Sequence, residues 1–96
     1  MARQPTHQHC QLCQRQVDLT FHHLIPRKMH RRTYFRKHFS REERNLGIWI
    51  CRRCHSGIHR LYDEMTLAKQ LCTLPALLND PAVQKHIAWV AKQKED

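Results

Sequence analysis

Apolar positions along the chain form two short runs and then settle into helical spacing. VDLTFHHLI, residues 17–25, is rich in β-formers and predicts a strand ending at Pro26. LGIWIC, residues 46–51, predicts a second short strand. From Arg52 to about Glu64 the pattern turns helical, with Ile58, Leu61, Tyr62 and Met65 recurring at three or four. Beyond it, Leu67, Leu71, Leu74 and Leu78 fall on one side, interrupted by Pro75. Asp80-Pro81 reads as an N-cap followed by the first residue of a last helix. That helix carries Val83, Ile87, Val90 and Ala91 on one face, expected to pack on the leucines, with Trp89 on the opposite face.

The two predicted strands are separated by PRKMHRRTYFRKHFSREER, from Pro26 to Arg44, which predicts one or two short helices. Ser40 followed by Glu43 fits a capping box. The order is strand, long connection, strand, helix, then further helices, and the fold class is therefore a small α+β domain. Residues 1–9 read as a flexible basic lead-in, 10–65 as the core unit and 66–96 as helical, all within one domain over 1–96. Gly57 lies inside a predicted helix, where glycine costs about 1 kcal/mol relative to alanine. Its presence suggests close approach of a strand or of a nucleic-acid backbone.

Composition changes this picture in three ways. A chain of 96 residues buries only a modest core, and chains near this size often lean on a disulfide or a structural metal. Five cysteines and nine histidines put a metal first. The opening MARQPTHQHCQLCQ has no apolar segment of signal-peptide type, and no run reaches membrane-spanning length. The chain is thus expected in the cytoplasm without a membrane span, where paired cysteines more often hold metal than form disulfides. Finally, 17 Lys+Arg against 8 Asp+Glu give a formal charge of +9. An excess this large favours a polyanionic partner, nucleic acid before an anionic membrane surface. Eight of those cations lie in the connection, interleaved with Tyr34, Phe35 and Phe39. They read either as a solvated helix face or as a phosphate-tracking surface.

The cysteines form two CxxC pairs, Cys10/Cys13 and Cys51/Cys54. Each pair brings two thiolates to one ion from a single turn, and two pairs complete a tetrahedral zinc site. Cys72 stands apart among leucines and reads as a small buried apolar residue. If the four thiols take one zinc, His55 and His59 are left over, at i and i+4 on one helix face. A helical pair of this kind is a weak signal alone, and a His-His pair on a surface is usually two solvated imidazoles. The combination is stronger, because paired cysteines would draw the first strand's His22 and His23 toward the helix start. Adjacent strand side chains point to opposite faces. At a strand end, one can reach a metal while its neighbour sits beside the opening.

CQLC, TFHHLIP, RNLGIWIC and CRRCHSGIH, in that order, resemble the HNH endonucleases, the ββα-metal nucleases. The resemblance covers Cys10 to His59 and implies two antiparallel strands and a helix gripping one catalytic metal, with a four-cysteine structural zinc as staple. It places His22 as the first metal ligand, His23 as the general base and Asn45 as the middle Asn that steadies hairpin and base. His55 and His59 match the helix histidines, most closely the HxxxH arrangement of colicin-type DNases. The connection before Asn45 is longer and more basic than the family pattern, and Asn45 lies one residue further from the following cysteine.

What the resemblance implies is a metal-dependent DNA endonuclease. An imidazole, with a reference pKa near ~6.5, can take a proton from water at neutral pH. A divalent cation on His22, His55 and His59 would polarise the phosphodiester and stabilise the departing 3′ oxygen. Imidazole ligands suit Mn2+, Ni2+, Co2+ or Zn2+ better than Mg2+. Arg27, Lys28, Arg31, Arg32, Arg36 and Lys37 would hold the DNA backbone with salt-dependent affinity and little sequence readout. The expected state is a monomer or a homodimer. Two other readings stay open: a non-catalytic zinc module that binds nucleic acid, and an inactive fold of the same kind serving as a subunit.

Overall fold

The computed structural model describes residues 9–94; the lead-in expected over 1–9 lies, apart from His9, outside the described residues. Strands β1 (Leu19–His23) and β2 (Gly47–Cys51) pair antiparallel, with Leu19 opposite Cys51 and His23 opposite Gly47. Both are shorter than their apolar runs, although Leu24 N–H still donates to the Leu46 carbonyl at 3.1 Å beyond the pairing. The connection forms a 3-10 turn (Arg27–Met29), helix α1 (Thr33–His38) and helix α2 (Arg41–Arg44). Ser40 and Glu43 make the expected capping box: Ser40 Oγ accepts from Glu43 N, and Glu43 Oε1 accepts from Ser40 N.

Helix α3 (Arg52–Leu61) follows β2 without a break. It stops before the expected Glu64 because Tyr62 is extended and Asp63 caps a separate helix, α4 (Glu64–Gln70), accepting from Thr66 N at 2.8 Å. Helices α5 (Leu74–Asn79) and α6 (Pro81–Ala91) start at Thr73 and Asp80, whose side chains cap Ala76 N and Val83 N. The break between α4 and α5 shifts the leucine phase. Leu77 rather than Leu78 is fully buried, and Leu78 is exposed. Val83 and Val90 enter the core as expected, whereas Ala91 lies exposed. Among the described residues no helix is long and apolar enough to cross a membrane.

Two apolar clusters form the interior. The larger joins the cysteines to Ile48, Ile50 and Ile58 and to Leu67, Leu77, Val83 and Val90 of the later helices. The smaller lies under the connection, with Ile25, Met29, Phe35 and Ala68 buried together. Cys72 is half-buried against this second cluster rather than lost in the first.

Gly57 has a different reason from either one expected. A Cβ there would fall inside the imidazole of His86, so glycine opens a slot on α3 for a side chain of α6. His86 Nε2 donates to the Arg53 carbonyl at 3.0 Å and closes the contact. The close partner is a helix, neither strand nor nucleic acid.

Candidate metal centres

The first centre is built from two turns. In the N-terminal turn, Leu12 N–H and Cys13 N–H both point at Cys10 Sγ, at 3.4 Å each. Gln14 closes the turn in the left-handed region (φ 68°), its N–H donating to the Cys10 carbonyl at 2.9 Å. A non-glycine residue pays about 1 kcal/mol or more for that backbone. The turn docks on β2 through Gln11, whose N–H donates to the Trp49 carbonyl and whose Oε1 accepts from Trp49 N at 2.7 Å. On the other side, Cys51 is the N-cap of α3, with its Sγ accepting from Cys54 N at 3.5 Å.

The four sulfurs converge within 4.8 Å of one another, and all four cysteines are buried. They form a cluster that can hold a structural zinc. Its electrostatics fit that use. Cys10 is pulled down to about 4, chiefly by the hydrogen bond with Cys54, while Cys54 is pushed up by that same bond and by burial. Crowded thiols ionise together only around a cation. Arg15 adds positive charge at the rim, donating from Nη2 to Cys51 Sγ at 3.2 Å and from Nη1 to the Gln93 carbonyl at 3.4 Å.

The second centre joins β1 to the next turn of α3. The pairing turns Thr20 and His22 toward α3, where His55 and His59 lie one turn apart. One ring nitrogen from each of His22, His55 and His59 lies within 4.8 Å of the others. Exposure grades from buried His22 through half-buried His55 to exposed His59. His22 Nε2 is buried and has no hydrogen-bond partner. A cation would give that lone pair its partner, so the residues present fit a metal. Burial first, then the neighbouring histidines, hold His22 down at about 3 and lower His55 as well. Both are therefore neutral imidazoles, the form that ligates.

Thr20 fixes the orientation of this set. Its hydroxyl donates to the Ile50 carbonyl at 2.9 Å and lies 2.8 Å from His55 Nδ1. With the single hydroxyl proton committed to the carbonyl, Nδ1 must be the donor, leaving the Nε2 lone pair of His55 for a ligand. Thr20 sits two residues before His22 on the same strand face, a spacing that could have flagged it.

His23 lies outside the three-histidine set but opens onto the same cavity of about 270 Å³, with Arg27, Lys28 and Glu64 on its wall. The Phe21 ring packs edge-on against His23 at 4.9 Å. His30 also packs edge-on against it, 5.6 Å away ring to ring. His30 Nε2 donates to the Ile25 carbonyl at 2.6 Å, and Arg44 Nη1 donates to the His30 carbonyl at 2.8 Å. Neither His30 nor Glu64 was legible as a site residue, since both are carried there by tertiary packing. Glu64 meets Lys28 at 3.6 Å.

Of the basic residues, Arg27 and Lys28 line the cavity, while Arg31, Arg32, Arg36 and Lys37 are exposed on the connection. Asn45 is exposed and closes α2, its Nδ2 donating to the Arg41 carbonyl at 2.9 Å. That bond steadies the turn leading into β2, one residue before Leu46 anchors the hairpin.

The fold and its two centres define a small α+β protein in which a strand–strand–helix unit carries a four-cysteine cluster and a three-histidine cluster side by side. Over 88 residues the chain is 33% identical to the uncharacterized protein YisB of Bacillus subtilis (strain 168), covering 88% of this chain and 74% of that protein. It belongs to the same family as YisB. No family model and no solved structure matches the chain.

Proposed function

We propose that this protein is a metal-dependent DNA endonuclease of the HNH type, hydrolysing phosphodiester bonds at the three-histidine centre. The observation that carries the reading is His23 lining the same cavity as the three convergent imidazoles of His22, His55 and His59. A zinc-binding module without chemistry has no need of such an opening beside a second cluster. In this reading the four cysteines hold a zinc with no open position, which is structural.

His22, His55 and His59 would hold a divalent cation, which would supply electrophilic polarisation of the phosphodiester and offset the charge that builds on it. Imidazole ligands favour Mn2+, Ni2+, Co2+ or Zn2+ there. The chain's own residues do the rest. His23 accepts a proton from the attacking water as its oxygen bonds to phosphorus, and the bond to the 3′ oxygen breaks, the departing 3′ oxygen taking a proton from solvent. Phe21 and His30 both pack edge-on against the His23 ring, which restricts its rotation. Arg27 and Lys28 bind the phosphate at the wall. The exposed cations of the connection hold the strand beyond it, so affinity falls steeply with salt.

The test is nicking of supercoiled plasmid, and of a duplex carrying a single-stranded gap, by purified protein with Mn2+, Ni2+, Co2+ or Mg2+, alongside His23→Ala. The wild type should nick, and His23→Ala should lose on the order of 100-fold or more, the usual worth of a positioned base. Absence of nicking with every metal, or equal rates from the variant, would refute the reading.

A further inference from the structure

Helix α3 carries more than ligands. At about 100° per residue, its circumference runs from His55 and His59 to Arg52, Ser56 and Arg60, then to Arg53 and Gly57 facing α6. The middle strip is exposed, and its two arginines span about 12 Å of helix. On the α6 side the strip meets Trp89, whose indole is 51% exposed. Arg53 lies over that ring, 5.6 Å from its centroid, and His86 flanks it at 6.0 Å. These residues with Arg52, Ser56 and Arg60 enclose a depression of about 290 Å³. A second depression, lined by Arg52, His55, Ser56 and His59, joins it to the histidine centre. No acidic residue lines either one among the described residues.

An exposed indole on a protein surface is ordinary when it stands alone. This one is held in place by the packing beneath it. Gly57 makes room for His86, and His86 fastens α6 so that Trp89, one turn later, comes under the Arg53 guanidinium. The result is an aromatic face within a cationic track that leads to the ligands. Duplex DNA presents phosphates and base edges to such a surface, and the face of an indole adds nothing there. An unpaired strand has free base faces, which stack on aromatic rings while arginines hold its backbone.

Resting on the nuclease reading, we propose that the Trp89–Arg53 platform and the Arg52/Ser56/Arg60 strip bind an unpaired strand of the nucleic-acid substrate. They conduct it along α3 to the histidine centre. The substrate class is then DNA with a single-stranded segment beside the scissile bond, rather than uninterrupted duplex.

The experiment uses the full chain with its zinc and no other added metal, titrated with an unpaired oligothymidine and with a blunt duplex of equal length. Trp49 is buried, so quenching of indole emission reports on Trp89. The unpaired strand should quench, and the duplex should not. Trp89→Ala should weaken binding of the unpaired strand about tenfold, Trp89→Phe less, and Arg53→Gln should raise the dissociation constant several-fold. Circular dichroism of each variant checks that α6 stays docked. Equal affinity of the wild type and a folded Trp89→Ala for the unpaired strand, or no quenching by it, overturns the proposal. Cleavage by the wild type, of plasmid or of a duplex carrying a single-stranded gap, separates the two ideas. Nicking without Trp89-dependent binding sinks the platform alone, and quenching by the unpaired strand without cleavage under any metal sinks the nuclease alone.

Discussion

The two centres share α3 and even adjacent residues, Cys54 and His55, yet they are finished differently. The cysteine set is closed: all four residues are buried, backbone N–H groups point at Cys10 and Cys51, and Arg15 covers the rim. The histidine set is left open on one side, running from buried His22 to exposed His59 at a cavity. Ligand type alone does not separate a structural metal from a reactive one. What separates them is whether the last coordination position is filled by the protein or left to the solvent.

The largest effect should come from breaking the closed centre. Structural zinc contributes on the order of 10–16 kcal/mol in small zinc peptides, as much as the whole stability of most domains. Cys54→Ser should therefore leave the chain unfolded at 25 °C, seen as loss of helical circular dichroism and of bound zinc. His59→Ala, one turn on, should keep both fold and zinc while losing binding of a second metal. A folded, zinc-free Cys54→Ser protein would erase the distinction.

A finer test concerns orientation at the open centre. Thr20→Val keeps the side-chain shape but removes the acceptor for His55 Nδ1–H. The loss of such a partner typically costs 10–100-fold in metal affinity. Calorimetric titration with Co2+ should show that loss at the histidine centre with the zinc content unchanged. Unaltered Co2+ affinity would mean that His55 is held by the helix alone.

The smallest effect is a slope with pH. His22 titrates near 6.5 when unfolded and at about 3 when folded, because burial and then His55, His59 and His23 oppose its charge. Its contribution to stability is therefore complete above pH 6.5 and declines as pH falls toward 3, by up to about 1.4 kcal/mol per unit. Urea midpoints without added second metal should drop between pH 7 and pH 5, and His22→Gln should flatten that change. A wild-type midpoint indifferent to pH over this range would contradict the buried, unpartnered imidazole.

Much of this was readable from residue order, and the division has a physical cause. CxxC pairs, a helical HxxxH, a capping box and an Asp-Pro helix start depend on neighbours within a few residues. The structure brings Cys10, Cys13, Cys51 and Cys54 together and gathers His22, His55 and His59. Features set by packing were not readable. Asp63 carries a local N-cap signal that the continuous apolar spacing through Met65 masked. Nothing local says that the break between α4 and α5 would bury Leu77 in place of Leu78. His30 reaches His23 only because the second apolar cluster folds the connection back on itself. Trp89 could be seen to face away from the core, but its meeting with Arg53 depends on a slot at Gly57 whose occupant was unforeseen.

That second cluster bears on how freely the chain can be rewritten. The connection over residues 24–46 enters and leaves at the paired ends of β1 and β2 and carries its own buried residues, Ile25, Met29 and Phe35. Closing a loop costs only about 0.6 kcal/mol more for each doubling of its length. Length and sequence here are thus weakly constrained by the hairpin, whose register is set by pairing. Insertions or shortened versions between α1 and α2 leave the ligand geometry to be fixed elsewhere. The exposed connection can diverge while the clustered cysteines and histidines stand still, and grafting a foreign connection onto this hairpin becomes a reasonable design problem.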